Sequence, residues 1–390
     1  MSWPLVKLGD VAPAKASKHA FSTSDEVWTL NLDQVEADTG NLLRKVMAPV
    51  SEAGTSTHGF DERHVLYSKL RPYLNKVVLP DEKGLATTEL VPMLPDPLRL
   101  DRKYLAYYLR SKSFVDWVSS QVAGAKMPRV SMQLFWQHEI PLPPMPEQKR
   151  IAAILDRADA IRRKRQQAIQ LADNFLRSVF SAIFGDVVAN SKGWDLKELG
   201  GLCDVQGGLQ VSSKRTGLPI TGPYLRVANV LRNKLMLTEI KNIEMLESEY
   251  RRVKLIADDI LIVEGHGNPT EIGRCAVWTG EIDGVVHQNH LIRVRVQSKG
   301  ISPRFLNDYL NSAGGRRQMM RASNTTSGLN TISTGIVKST KIIVPPRDLQ
   351  DKYVSIVERT NSHLFRYMSA QVLGDENFFS LSQRAFSGQL

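Results

Sequence analysis

One unit is used twice in this chain, and that restricts its fold more than any single motif. "EIPLPPMPEQKRIAAIL", from Glu139, lines up with "KIIVPPRDLQDKYVSIV", from Lys341. Pro143 and Pro144 fall on Pro345 and Pro346, 202 positions further on, Gln148 falls on Gln350, and Ile154 on Ile356. Upstream, "YLAYYLRS" from Tyr104 pairs with "FLNDYLNS" from Phe305, "TTELV" from Thr87 with "QNHLI" from Gln288, and "WPLVKLGDV" from Trp3 with "WDLKELGGL" from Trp194. Downstream, "DNFLRSVFSAIFG" from Asp173 resembles "ENFFSLSQRAFSG" from Glu376. Matches in one order, at shifts of 191 to 203, are a tandem duplication.

The repeated unit is a globular block followed by a helix. Short β-rich runs such as "HVLYSKL", "DILIVEG" and "NHLIRVRV" are bounded by Gly, Pro and Asp, with short helices between them. The class expected is α+β: two tandem α/β domains, residues 1–146 and 187–347, separated by two long helices, residues 147–186 and 348–390.

From Ile151 the steps alternate between three and four through Ile154, Ala158, Ile161, Arg165, Ala168, Ala172, Phe175 and Val179. That spacing is the signature of a coiled-coil seam. The second helix offers Ile356 and Leu364 among its apolar positions, and Gly374 is a place where it could break. The two helices are therefore expected to pack as an antiparallel coiled coil, giving a pseudo-two-fold arrangement. Each would be about 57 Å long at the usual rise per residue. Gly185 is placed to end the first.

Composition narrows the function. Hydrophobic residues make up 42% of the 390, enough for sizeable cores. No apolar run is long enough for a membrane span, and "MSWPLVKLGD" has no apolar signal core, so a cytoplasmic location is expected. The two cysteines, Cys203 and Cys275, fit neither a disulfide framework nor a standard metal site. The net charge of +11 points to a polyanionic partner, because Lys and Arg that neutralise phosphates release condensed counterions.

Catalytic patterns are scarce. There is no GxxxxGK[ST] phosphate loop, no Asn/Asp-Pro-Pro-aromatic motif of adenine methyltransferases, and no Gly-rich turn for S-adenosylmethionine. Pro80-Asp81 followed by Asp101-Arg102-Lys103 loosely matches a Mg²⁺-dependent nuclease, the alternative function. Ser302-Pro303-Arg304 stands at the equivalent place in the second copy, so Asp101 reads better as a helix N-cap. His266, His287 and His290 lie near Cys275, but Ala86 and Glu89 replace two of them in the first copy, so neither a catalytic residue nor a metal ligand is assigned.

"PLPPMPEQKRIAAILDRADAIRRKRQQAI" followed by "LRSVFSAIFGD" resembles the central repeat of specificity subunits of type I restriction-modification systems. "LVKLGDV" and "LKELGGL" resemble the openings of their target-recognition domains, "DILIVEGHGNPTEIGRCAVW" with "NHLIRV" resembles the core of such a domain, and "LSQRAFSGQL" their C-terminal signature. The resemblance covers the whole chain. It implies a non-catalytic reader of a split, asymmetric double-stranded DNA target, with one half-site per domain and a spacer set by the helices. It also implies two modification (methyltransferase) subunits carrying S-adenosylmethionine, restriction (translocase/nuclease) subunits using ATP and Mg²⁺, and no cofactor on this chain.

Base and phosphate reading calls for Arg, Lys, Asn or Gln in loops. The candidates are Lys69, Arg71, Lys76, Lys126 and Arg129 in the first domain, and Lys214, Arg215, Arg226, Asn229, His266, Asn268 and Asn324 in the second. The cluster Arg162, Arg163, Lys164 and Arg165 could face spacer phosphates, a partner subunit or solvent, with Arg165 at a seam position.

Overall fold

In each copy of the repeat, a strand near its start pairs antiparallel with the strand just before its long helix. Leu5–Lys7 pairs with Glu139–Pro141, and Asp195–Glu198 with Lys341–Val344. The computed structural model describes residues 3–54, 56–124, 126–326 and 329–390, without the side chains of residues 269, 324–326, 329–330 and 372. They form two compact units, one of residues 1–169 with 366–390, the other of residues 170–365, so the division cuts both long helices.

The first unit has a four-stranded sheet in the order Val46–Pro49, Glu26–Leu30, Gly84–Thr87, Thr57–Phe60, and a three-stranded one in the order Val77–Val78, Val65–Ser68, Leu90–Met93. Helix Arg102–Leu109 presents Tyr104, Leu105 and Tyr108 to a core that also holds Tyr67, Phe114 and Phe135. Tyr67 and Phe135 lie 4.7 Å apart between ring centres, within the range of favourable aromatic pairs. The second unit has a four-stranded antiparallel sheet in the order Cys203–Gly207, Leu291–Val296, Ile260–Val263, Cys275–Val277. "ILIV" at 260–263 is apolar throughout because the strand is buried on both faces.

Buried Gln148 and Gln350 show how the duplication works physically. Gln148 Oε1 accepts from Asp101 N–H at 2.8 Å, and its Nε2 donates to the carbonyls of Arg99 and Pro143, both at 2.8 Å. Gln350 Oε1 accepts from Ser302 N–H at 2.8 Å, and its Nε2 donates to Gly300 at 2.9 Å and Pro345 at 2.8 Å. In both copies the amide ties the proline turn and the start of the long helix to the loop that opens a shorter one. Asp101 is the N-cap expected of it, accepting from Lys103 N–H at 3.0 Å and Tyr104 N–H at 2.9 Å. Ser302 holds the same position with Pro303 behind it, but its side chain makes no capping bond.

The long helices run Met145–Phe184 and Arg347–Phe386. Gly185 ends the first as expected, at φ 78°, with its N–H donating to Ser181 O at 2.8 Å. Within the first unit the two helices are antiparallel: Arg150 Nη2 reaches Leu390 O at 3.1 Å, Arg162 Nε reaches Asp375 Oδ1 at 2.6 Å, and Arg165 Nη1 reaches Ala370 O at 2.8 Å. Two of the four clustered basic residues therefore join helix to helix. The guanidinium of Arg162 also lies 4.6 Å over the ring of Phe378. Lys164 and Arg163 are exposed.

Gly374 does not break the second helix. A Cβ there would lie 2.5 Å from Arg165 Nη1, so the missing side chain makes room for the guanidinium that caps Ala370 O. The expected seam needs correcting at two positions. Ile161 and Phe175 stand half exposed, at 50% and 51%. An α-helix drifts by ~20° per heptad against a strict 3.5-residue repeat, so a stripe that begins buried at Ile151 and Leu155 turns outward further along. Ile151, Leu155 and partly buried Ala158 pack into the first core, and Val179 into the second, while Ile154 and Ile356 are half-buried and Leu364 is buried.

Candidate nucleic-acid interface

In the first unit the core strand Val65–Ser68 leaves its sheet at Lys69, and what happens next brings four of the candidates together. Lys69 N–H donates to Glu89 O at 3.0 Å, Val130 N–H donates to Lys69 O at 3.0 Å, and Arg71 N–H donates to Pro128 O at 2.7 Å. The strand exit is thus stitched to a two-stranded hairpin, Val122–Ala123 with Arg129–Val130. Gly124 at φ 97° permits the turn, on which Lys126 is exposed. Arg71 has φ 49° just before Pro72, a strained choice for arginine that sets its exposed side chain at the edge of the ladder. Arg129 grips Glu89 through Nη2 at 2.7 Å and Nε at 3.1 Å. That fork holds the Glu89 carboxyl below the usual carboxylate range.

The second unit repeats the ladder. Ile260–Val263 exits at Glu264, whose N–H donates to His290 O at 3.0 Å, while Ile332 N–H donates to Glu264 O at 2.8 Å. Gly265 and His266 pair with Thr331 and Asn330 of the hairpin Asn324–Thr326 with Leu329–Thr331. His266 Nδ1 accepts from Asn268 N–H at 3.0 Å, and exposed Asn268 closes its own turn by accepting from Thr270 N–H at 3.0 Å. Asn324 lies in the hairpin, and its side chain is outside the described residues.

Five other candidates need correction or lie elsewhere. Half-buried Lys76 spends its ammonium on Leu32 O at 2.6 Å, and burial lowers its pKa. Arg215 holds Glu249 with two bonds of 2.9 Å and donates Nε to Gln210 O at 2.6 Å, a structural clamp beside exposed Lys214. Asn229 is buried: its Oδ1 accepts from Arg226 N–H at 3.0 Å, and its Nδ2 donates to Met236 O at 2.8 Å and Glu239 O at 3.0 Å. Neither face of that amide is left for a base. Arg226 pairs with Glu239 at 2.7 Å.

The nuclease pattern does not assemble. Asp81 pairs with Lys45 at 3.0 Å, Asp101 caps its helix, and Lys103 pairs with Asp156 at 2.5 Å, so the three turn to different partners. Among the described residues there is no cluster of three or more metal-ligating side chains. His287 is buried between Val253 O and Gln206 O, and desolvation lowers its pKa to about 4. His290 faces Glu264 at 3.4 Å.

Sequence reasoning missed Glu89 and Glu264 as members of these ladders, and the helix Ala313–Ala322 with Arg316, Arg317 and Arg321 that leads into the second hairpin. The signal was in the repeat: "TTELV" against "QNHLI" places Glu89 on His290.

The family model described as the type I restriction modification DNA specificity domain matches this chain twice, over residues 2–171 and 191–366. The chain belongs to that family. Both matches span a ladder, so each ladder lies inside a specificity domain. The chain is 28% identical over 278 residues to the type I restriction enzyme StySPI specificity subunit of Salmonella potsdam, and 29% identical over 282 residues to the EcoKI specificity subunit of Escherichia coli (strain K12). Each match covers 68% of this chain and 58% of the relative. The crystal structure of a type I restriction-modification system S subunit from M. genitalium shares the fold of this specificity-domain chain, with a TM-score of 0.60 at 16% identity, covering 99% of this chain and 96% of that one. Among the described residues no helix is long and apolar enough to cross a membrane.

Proposed function

We propose that this chain is the non-catalytic specificity subunit of a type I restriction-modification complex. Each specificity domain reads one half of a bipartite, asymmetric double-stranded DNA target through its strand-exit loop and hairpin. The observation that carries this is the twice-built ladder, in which one backbone arrangement displays Lys69, Arg71, Lys126 and Arg129 in one domain and Glu264, His266 and His290 in the other. A scaffold that repeats while its side chains change is what reading two different half-sites requires, since phosphate contacts position and base contacts specify. The helices set the unread spacer, and their exposed faces dock two modification subunits. S-adenosylmethionine, ATP and Mg²⁺ belong to modification and restriction subunits, and the work is done in the cytoplasm.

The test is to co-produce the full chain with modification subunits and select duplexes from a randomised library. Two conserved blocks separated by a fixed unread gap are expected, with affinity falling steeply as salt rises. Equal binding to all duplexes would overturn the reading.

A further inference from the structure

The two ladders are superimposable in backbone bonding but inverted in charge. Lys69 and Glu264 occupy the same place: each donates its N–H to the carbonyl of the cross-strand residue at 3.0 Å and accepts from the far hairpin strand, from Val130 at 3.0 Å or Ile332 at 2.8 Å. The cross-strand residues are Glu89 in one and His290 in the other. In the first domain the ladder carries Lys69, Arg71, Lys126 and Arg129 against the single acid Glu89, whose carboxylate Arg129 already occupies. In the second it carries Glu264, 29% exposed, and His266, and among the described side chains His290 is the one that pairs with Glu264, at 3.4 Å. Burial holds the Glu264 carboxyl above its ordinary range, the opposite direction from Glu89. Among the described residues Glu264 is therefore met by one imidazole at 3.4 Å, where Glu89 is gripped by a guanidinium at 2.7 Å.

A carboxylate close to a polyanion is repelled unless it finds a donor, so it selects strongly for one. Donors on base edges in the major groove are the exocyclic amino groups of cytosine and adenine, whereas Arg and Lys suit the acceptors of guanine. Attraction to phosphate is supplied next door. Helix Ala313–Ala322, leading into the hairpin, carries Arg316, Arg317 and Arg321, with Arg317 and Arg321 exposed. Its counterpart Lys112–Ser120 carries only Lys112, paired with Asp116 at 2.8 Å. Arg316 in turn fixes the reading loop by donating to Thr270 O.

We infer that Glu264, steadied by His290, is the base-reading acceptor of the second specificity domain, taking an exocyclic amino group of cytosine or adenine where the first domain offers cations to base acceptors. This rests on the DNA-reading function proposed above. Lys69 and Arg71 then favour guanine in the first half-site, and the second half-site is selected at one position for an amino-bearing base.

The experiment compares wild-type, Glu264→Met and Glu264→Lys chains, each co-produced with modification subunits and selected on the same randomised duplex library. Wild type is expected to hold cytosine or adenine at one position of the second block, and the recovered base says which. Glu264→Met, which keeps the length of the side chain and removes the acceptor, should relax that preference by roughly tenfold, within the range for one base contact. Glu264→Lys should shift it toward guanine, and the first block should not change in either variant. If Glu264→Lys fails to fold, Glu264→Met decides alone. An unchanged second block with Glu264→Met, or a change confined to the first block, overturns the inference. A wild-type chain that selects no sequence at all overturns the DNA-reading function instead.

Discussion

Replacing Gln148 with Met tests whether the buried amide joins the first domain to its helix. The side chain is fully buried, and its three bonds of 2.8 Å reach Asp101 N–H and the carbonyls of Arg99 and Pro143. Methionine has a similar length and volume, so little of its effect is cavity formation. What remains is an orphaned backbone N–H and two carbonyls that each lose a donor. A buried polar group left unsatisfied costs about 1–3 kcal/mol. The N–H alone brings the cost to that range, and the carbonyls raise the expected total to about 3 kcal/mol by the same measure. Gln350→Met removes the matching bonds to Ser302, Gly300 and Pro345 and should cost the second unit as much. Urea unfolding followed by tryptophan fluorescence reads both, because Trp28, Trp117 and Trp136 report the first unit and Trp194 and Trp278 the second. Each unit is fitted with its own transition, since two units need not unfold together. A loss below about 1 kcal/mol in either variant, the net value of one ordinary hydrogen bond, would refute the reasoning.

Three further outcomes are expected. Gly374→Ala should be close to neutral, because the gain in helix propensity of about 1 kcal/mol is offset when the new methyl displaces Arg165 from Ala370 O; in an Arg165→Ala background the same change should stabilise, as a double-mutant cycle by thermal unfolding would read. Glu249 is held down to about 2, first by its hydrogen bonds from Arg215 and then by Leu246 N–H, so the stability it adds is fully present above its ordinary value of 4.5 and is lost as pH falls toward 2. The unfolding midpoint of Glu249→Gln should therefore depend less on pH across that window than that of wild type. Purified chain with Mg²⁺ should leave duplex DNA uncut, and Asp81→Ala should change nothing, because Asp81 serves Lys45; cleavage abolished by that substitution would restore the nuclease.

The architecture was legible because duplication repeats its local chemistry. Pro-Pro followed four residues on by Gln marks both helix starts, and the reason, one amide satisfying three backbone groups, lies in those residues. Asp101 as a cap and Gly185 as a stop were legible for the same reason, since both act within a turn of their own position. Gly374 was misread because its partner, Arg165, is more than two hundred positions away.

The DNA-facing residues divide along the same line. A lysine or arginine in a loop looks alike in sequence whether its donors are free or taken. Lys76, Arg215 and Arg129 are taken, by Leu32 O, Glu249 and Glu89, and Asn229 is sealed by three bonds. Lys69, Arg71, Lys126 and Arg129 were collected from scattered positions by two strand pairings. Sequence alone established the tandem repeat, its helix starts and its lack of familiar catalytic motifs, because periodicity, caps and motif spacing are properties of neighbouring residues. Only the tertiary structure decided that Glu264 stands where Lys69 does, because equivalence of place across a sheet is set by hydrogen-bond register and not by distance along the chain.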